Sequence, residues 1–254
     1  MDRPGGAFAL SWASRSEAVR YEHGRPDYPA EGLRILTTAL NLGEGRMVAD
    51  VAAGTGKLTR LLRGTGATVL GVEPAEGMRQ VLASSSPGVT VVGAAAESLP
   101  FAFSSIDAIT VAQAIHWFDL DRALAEFRRV LRRDGRLAVV YNRRDDAVEW
   151  VRRLDEIVAR YEAMAERPTE VRGWRDRLLR SPHFGHWERV EVAHQQRFDS
   201  LDQFEARFGS MSVAINLDPS TRARMLEEVR VCAPATGNLV IPQRTEIHVA
   251  TRSA

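Results

Sequence analysis

Short apolar runs alternate with helical stretches over the first 145 residues. The runs lie at about 46–51, 68–72, 89–92, 106–113 and 137–141. Buried parallel strands are continuous apolar runs, whereas a helix with one buried face repeats its apolar positions every three or four residues. The pattern therefore predicts five βα units and a parallel sheet with right-handed crossovers.

The pattern changes in the last third of the chain. Apolar positions at helical spacing cover 148–165, and further helices are predicted around 201–208 and 219–231. Alternating apolar and polar positions predict strands over 190–198 and 241–251. We expect one domain in three parts: an N-terminal helical lid over 1–45, a sheet core over 46–145, and a cap with the closing strands over 146–254.

A glycine turn closes the first apolar run. Asp50 lies near the end of the run, and Gly54 and Gly56 follow it. Glycine lets a backbone approach a ligand closely, and the first N–H groups of the next helix form a polar surface beside it, so the turn predicts a nucleotide site. A P-loop is excluded because Leu58 stands where serine or threonine is required. The dinucleotide fingerprint needs a third glycine where Thr59 stands, so NAD is disfavoured but stays open.

The composition is that of an ordinary globular protein. Of 254 residues, 44% are hydrophobic and 26% are charged, and the net charge is +1. That charge gives no sign of nucleic-acid binding, and we see no metal-ligand spacing. One cysteine, Cys232, fits a reducing compartment. Because we see neither an export signal nor an apolar run of about 18 residues, we expect a soluble cytoplasmic protein outside the membrane, as a monomer or a homodimer.

Two stretches resemble a known enzyme family. The Asp-x-small-x-Gly-x-Gly turn that starts at Asp50 resembles motif I of the class I S-adenosylmethionine-dependent methyltransferases. The run Gln-Ala-x-His-Trp-Phe-Asp, which starts at Gln113, is similar to the trans-aconitate-methyltransferase-like group, with its methyltransferase type 11 domain. The resemblance implies a Rossmann-like α/β fold with a mostly parallel seven-stranded sheet, an antiparallel edge strand, helices on both faces and a helical cap. Ala52 replaces the family's first glycine, which would require an ordinary backbone conformation there.

The resemblance implies S-adenosylmethionine as the cofactor, and residues at the strand ends suggest its contacts. Glu73 ends the second strand, where a carboxylate can accept hydrogen bonds from both ribose hydroxyls; the alternative is that it serves the start of the next helix. Met78 could cover the adenine. The resemblance adds Tyr21 and Arg25 before the core and two residues of an adenine-binding turn after the third strand. The predicted cofactor contacts are Tyr21, Arg25, Asp50, Ala52, Gly54, Gly56, Glu73, Met78, Ala96, Glu97 and Gln113.

Aromatic and basic residues indicate an acceptor pocket. By the resemblance, His116 and Trp117 are the catalytic candidates, and His116 could act as a base, as a hydrogen-bond donor or only as an orienting group. A guanidinium fork suits a carboxylate. The arginines expected near the pocket mouth, unless they are merely solvated, are Arg143, Arg144, Arg172 and Arg175. The predicted substrate contacts are His116, Trp117, Tyr141, Arg143 and Trp174.

The expected reaction is methyl transfer to a small molecule, led by O-methylation of a carboxylate. No metal is required, because a sulfonium methyl group is already activated and catalysis mainly aligns the nucleophile. N-, O- or C-methylation of a secondary metabolite is an alternative. Two further classes stay open, since a fold does not imply a function: a catalytically silent methyltransferase-like binding protein and a nucleotide-binding oxidoreductase.

Overall fold

The computed structural model describes residues 14–164, 173–234 and 239–253. Its strands are β1 (Met47–Val51), β2 (Thr68–Val72), β3 (Thr90–Val92), β4 (Ile106–Ala112), β5 (Leu131–Arg144), β6 (Glu188–Arg197) and β7 (Val240–Thr251). They form a seven-stranded sheet in the order β3-β2-β1-β4-β5-β7-β6. The first five strands are parallel, and β7 runs antiparallel to β5 and β6. The predicted α/β fold is confirmed.

Helices cover both faces of the sheet and form the cap. They are α1 (Arg15–Gly24), α2 (Ala30–Ala39), α3 (Lys57–Arg63), α4 (Glu76–Ser85), α5 (Leu120–Val130), α6 (Glu149–Met164), α7 (Trp174–Leu179), α8 (Leu201–Gly209), α9 (Ser212–Ile215) and α10 (Pro219–Cys232), with a 3-10 turn at Ile115–Trp117. Within the described ranges, these helices are too short or too polar to cross a membrane.

Neighbouring residues of the central strands belong to two separate hydrophobic cores. Ala49 and Val51 of β1 belong to the core that contains Phe127 of α5, whereas Val48 belongs to the one that contains Leu58 of α3. All five residues are buried. Because helices cover both faces of β1, its residues are apolar without alternation except for Asp50, which explains why the sequence predicts a buried strand.

The fifth strand is longer than its apolar run predicts. The run covers 137–141, whereas β5 begins at Leu131. The register with β4 shifts after Leu131, and the charged residues 132–134 are exposed at that irregularity. A charged, exposed segment carries no strand pattern, so the sequence gives no sign of this extension.

The cap has a core of its own. Phe204 and Phe208 of α8 pack with Val158 of α6 and Met225 of α10. α1 contacts both α4 and α8. It therefore connects the cap to the sheet core on the side where β1 and β2 end.

Candidate functional site

Two adjoining cavities open where the parallel strands end, which is the usual ligand position in an open α/β sheet. The small cavity has a volume of about 220 Å³, and its wall includes Glu73 and Trp117. The large cavity has a volume of about 420 Å³, and its wall includes Arg207 of the cap. Tyr21 and Gly54 belong to both walls. The residues predicted at the strand ends are thus brought to one region.

The turn after β1 takes a left-handed backbone conformation at three positions. The φ angles are 55° at Ala52, 58° at Gly54 and 90° at Gly56. The expectation of an ordinary conformation at Ala52 is therefore wrong: this alanine adopts the region that glycine favours. A Cβ added to Gly54 would meet no atom within 4 Å, whereas one added to Gly56 would collide with the Leu82 side chain. Gly54 borders the cavities, and Gly56 instead permits close packing against α4.

Asp50 stabilises this turn from the protein interior through hydrogen bonds. Its buried carboxylate accepts hydrogen bonds from the hydroxyls of Thr59, at 2.6 Å, and Thr110, at 2.7 Å. Burial raises the pKa of Asp50 to about 6, and the two hydroxyls oppose that shift. Asp50 lines neither cavity. The structure therefore gives it a positioning contact, and its direct contact with a cofactor stays a prediction.

Glu73 connects the ends of β1 and β2. Its carboxylate is 1% exposed, and it accepts hydrogen bonds from the backbone N–H groups of Gly54, at 2.9 Å, and Ala75, at 2.8 Å. Burial raises the pKa of Glu73 to about 7, against the effect of both donors. A carboxylate has about four acceptor positions, so these two bonds leave room for a ligand's hydroxyls. The Ala75 contact shows that Glu73 also serves the start of α4.

The predicted adenine contacts fall into two groups. Met78 is buried and lines the small cavity. Ala96 belongs to the core beneath the sheet end, and Glu97 accepts a hydrogen bond from the backbone N–H of Asp119 at 2.9 Å. Ala96 and Glu97 are absent from the described walls of both cavities. Glu97 therefore holds the start of α5, and its contact with a cofactor stays a prediction that the cavity walls do not support.

The aromatic residues after β4 surround an oriented histidine. Gln113 follows the strand with a φ of 58°, and its side-chain amide donates to the backbone carbonyl of Asn142 at 2.9 Å. The Nδ1 atom of His116 lies 2.5 Å from the Tyr141 hydroxyl. Tyr141 stacks on Trp174, with ring centroids 4.7 Å apart. The hydroxyl therefore fixes the plane of the imidazole, and the stacked indole supports the tyrosine.

The cavity walls separate these aromatic residues. His116 and Trp117 line the small cavity, and their ring centroids lie 5.0 Å apart. Tyr141 and Trp174 are absent from both described walls. The structure therefore places Tyr141 behind His116, and the substrate contacts predicted for Tyr141 and Trp174 stay predictions.

Several predicted arginines already have acidic partners. The Nε atom of Arg143 lies 2.7 Å from Glu246, and Nη2 of Arg175 lies 2.6 Å from the same carboxylate. Burial alone would raise the pKa of Glu246, but its arginine neighbours lower it. Arg144 pairs with an aspartate of α6. Arg143 and Arg144 still line the large cavity, whereas Arg172 lies outside the described residues.

Arg207 is a site residue that the sequence did not reveal. It is 6% exposed and lines the large cavity. Burial lowers the pKa of Arg207 well below its usual value, and the nearby charges of Arg25 and Arg144 lower it further. One arginine on a helix of an arginine-rich chain has no distinguishing pattern, and only the tertiary structure brings these three together.

Comparisons with known proteins agree with this geometry. Residues 49–139 match the family model described as a methyltransferase domain. An uncharacterized methyltransferase of Mycobacterium tuberculosis is 45% identical over 151 residues, which cover 59% of this chain and 60% of the relative. A demethylmenaquinone methyltransferase of Thermobifida fusca is 39% identical over 107 residues, or 40% of this chain and 45% of that protein. A solved structure from Anaeromyxobacter dehalogenans, provisionally named a type II methyltransferase, is 29% identical, with a TM-score of 0.61 over 90% of this chain and 96% of that one.

These matches confirm the prediction at the level of the domain. Residues 49–139 belong to a methyltransferase domain of the class I, S-adenosylmethionine-dependent type, and the chain has the predicted Rossmann-like fold. S-adenosylmethionine is the cofactor of that domain. The chain spans about 60% of the length of the curated relatives that it matches first. Membership of the trans-aconitate-methyltransferase-like group stays a prediction.

Proposed function

We propose that this methyltransferase domain transfers the methyl group of S-adenosylmethionine to a small molecule held in the large cavity. The observation that carries the proposal is the hydrogen bond from the Gly54 N–H to Glu73. It joins a left-handed glycine turn to a buried carboxylate in the wall of one cavity. A nucleoside with a charged tail needs a backbone that it can approach closely and, beside it, a carboxylate that accepts hydrogen bonds from its ribose hydroxyls.

The walls of the cavities fit the parts of this cofactor. Glu73 retains acceptor positions for the ribose hydroxyls, and the buried Met78 offers an apolar surface for the adenine. The open space above Gly54 gives the methionine part access to the backbone of the turn. Tyr21 and Arg25, which line both cavities, would close over the cofactor from α1. This closure by α1 is the role that we propose for the N-terminal lid.

The protein itself contributes to the reaction by aligning the acceptor with the methyl group and by excluding water. When bound, S-adenosylmethionine supplies an activated sulfonium methyl group. Tyr141 orients His116 from behind, and Trp117 places an apolar wall beside it. We propose that these two cavity residues set the direction from which the acceptor approaches. Water that is kept out by the cap cannot compete with the acceptor.

A carboxylate is the acceptor group that we favour. Basic residues from three elements line the large cavity, among them Arg25, Arg144 and Arg207, and guanidinium groups attract small acids. A carboxylate is already ionised at pH 7 and needs no general base. In that case His116 would orient the acceptor and would not take a proton from it. A hydroxyl or amine acceptor would instead require His116 as a base.

Methyl-labelled S-adenosylmethionine, incubated with a panel of small acids, phenols, amines, RNA, DNA and protein, tests this proposal. We expect label on a small acid, in a product that alkali hydrolyses as an ester. An alkali-stable small product would retain the enzyme class and replace the acceptor. Turnover found only on RNA, DNA or protein would contradict the proposal. The Glu73→Ala protein is the low-activity comparison, and Glu76→Ala, at an exposed acid of the adjoining helix, is its matched control.

A further inference from the structure

Arg207 is a buried guanidinium in which two of the three nitrogens lack hydrogen-bond partners among the described residues. It is 6% exposed, and among the described residues neither Nε nor Nη1 has a partner. A charge removed from water normally has a counter-charge, because burying it alone is costly. The ring of Phe208, 5.6 Å from the guanidinium carbon, offers a cation–π contact but no hydrogen bond. The fold thus buries this cation with less compensation than it needs.

The packing of α1 against α8 brings a second guanidinium to the same place. Gly24 ends α1, and a Cβ added there would collide with the Ser210 side chain, just beyond α8. Glycine therefore lets the two helix ends meet. Arg25 follows directly, and its Nε is also buried without a hydrogen-bond partner in the described ranges. Its guanidinium carbon lies 4.7 Å from the centroid of the Tyr21 ring.

Within the described parts of the chain, no ion pair joins an acidic residue to Arg207 or Arg25. Arg144 is the third cation that acts on Arg207, and its ion pair with Asp155 compensates it. The wall of the large cavity also contains Asp146, which is exposed, and Glu162, which is engaged in an interaction of its own. The positive charges of Arg207 and Arg25 therefore remain to be balanced at the cavity.

We propose that Arg207 and Arg25 form an anion-binding site for the carboxylate group of a small ligand of the transfer reaction. Both residues line the large cavity, and a guanidinium fork can bind a carboxylate through two parallel hydrogen bonds. This inference rests on the proposed function. Two ligands carry such a group: S-adenosylmethionine, through its methionine carboxylate, and an acidic acceptor.

Thermal unfolding without ligand is the first test. Arg207→Met replaces the cation by an apolar side chain that can fill its place, and Arg224→Met changes an exposed arginine of α10 as the control. Because an unpaired buried charge opposes folding, we expect the Tm of Arg207→Met to exceed that of the wild type. Arg224→Met should leave the Tm unchanged. A Tm of Arg207→Met below the wild-type value would mean that Arg207 supports the fold as it stands, which would overturn the proposal.

Calorimetry with S-adenosylmethionine and its decarboxylated analogue identifies the source of the carboxylate. If the methionine carboxylate occupies the site, the wild type should bind S-adenosylmethionine about ten- to a hundredfold more tightly than the analogue. Arg207→Met should then remove that difference. If the acceptor occupies the site, the difference should be the same in both proteins. A panel of small mono- and dicarboxylates should then raise the Tm of the cofactor-saturated wild type but not that of Arg207→Met.

An affinity difference that survives in Arg207→Met, together with no wild-type response to any carboxylate, would overturn the proposal. The proposed function can fail separately. If the wild type bound neither S-adenosylmethionine nor its analogue, while carboxylates still raised its Tm through Arg207, the anion site would stand. In that case the proposed methyl transfer would be wrong.

Discussion

Two buried charged side chains border the two adjoining cavities, Glu73 the small one and Arg207 the large one, and they differ in how many hydrogen-bond partners the protein gives them. Glu73, at the end of β2, accepts hydrogen bonds from the backbone N–H groups of Gly54 and Ala75. Arg207, on the cap helix α8, has two nitrogens without partners among the described residues. The sheet core therefore holds its carboxylate with its own backbone, whereas the cap holds a guanidinium mainly by packing.

This difference shows which half of the site is complete before a ligand arrives. The strand ends place Glu73 and the glycine turn in fixed positions, so little ordering is left to oppose cofactor binding. The cap half presents a charge that only an anion can balance. A ligand without that anion would leave the charge unpaired, and a site of this kind rejects such ligands strongly. We infer that the core half supplies affinity and the cap half supplies selectivity.

Gly54→Val should have the largest effect, because it disrupts the complete half directly. Gly54 has a φ of 58°, which costs other residues on the order of 1–2 kcal/mol, and the valine side chain would enter the open space of the cavities. We expect calorimetry to detect no S-adenosylmethionine binding while circular dichroism remains native. Gly43→Val, at a position where a Cβ meets nothing within 4 Å, should bind normally. Normal binding by folded Gly54→Val would contradict this assignment.

Glu73→Ala should weaken cofactor binding without abolishing it. The loss of charge-assisted hydrogen bonds to the ribose should cost about 1.5–3 kcal/mol of binding free energy. The variant also leaves the N–H groups of Gly54 and Ala75 without their acceptor, so its Tm should fall. Glu76→Ala removes an exposed acid of α4 and should bind as the wild type does. Unchanged affinity in Glu73→Ala would sink the ribose assignment.

The pH dependence of stability isolates the cost of burying Glu73. Its folded pKa is raised to about 7 by burial, whereas an unfolded glutamate titrates near a pKa of about 4.3. The folded state therefore retains a proton that the unfolded state has released, and stability is lost as the pH rises through this window. The free energy of unfolding of the wild type, relative to Glu73→Gln, should fall between pH values of about 4 and 7. Urea unfolding at several pH values measures this difference, and a flat difference would refute the raised pKa.

Tyr141→Phe should have the smallest effect. It removes the hydroxyl that lies 2.5 Å from His116 but keeps the ring that stacks on Trp174. The loss of one hydrogen bond should cost about 1 kcal/mol of stability, and kcat should fall more than KM changes because the imidazole loses its orientation. Tyr161→Phe, which removes a hydroxyl bonded to Glu228 in the cap, is the control. Equal kcat values in the two variants would show that Tyr141 does not orient His116.

The sequence predicts well the half of the site that the sheet core provides. Buried strands leave uninterrupted apolar runs, so the positions of Asp50, Glu73 and Gln113 near the strand ends could be read directly. The backbone at Ala52 was predicted wrongly, because alanine gives no sign that the turn imposes a positive φ. The local pattern could place Glu97 after the third strand, but it could not show that its carboxylate is bound to the start of α5.

The cap half could not be predicted in the same way. The pKa of Arg207 is lowered by burial and by the charges of Arg25 and Arg144, which lie far from it in the chain. Its burial depends on α1 meeting α8 where Gly24 has no side chain. Such packing between distant helices leaves no local periodicity, and among so many arginines no single one stands out from the sequence.

We expect the strand ends of this domain to form an S-adenosylmethionine site. Calorimetric titration of the wild-type protein with S-adenosylmethionine and, separately, with NAD tests it most directly. We expect saturable binding of one S-adenosylmethionine per chain and no binding of NAD, because the turn lacks the third glycine, which in dinucleotide sites lets the helix pack closely against the strand. Binding of NAD in the absence of any binding of S-adenosylmethionine would overturn this assignment and favour an oxidoreductase.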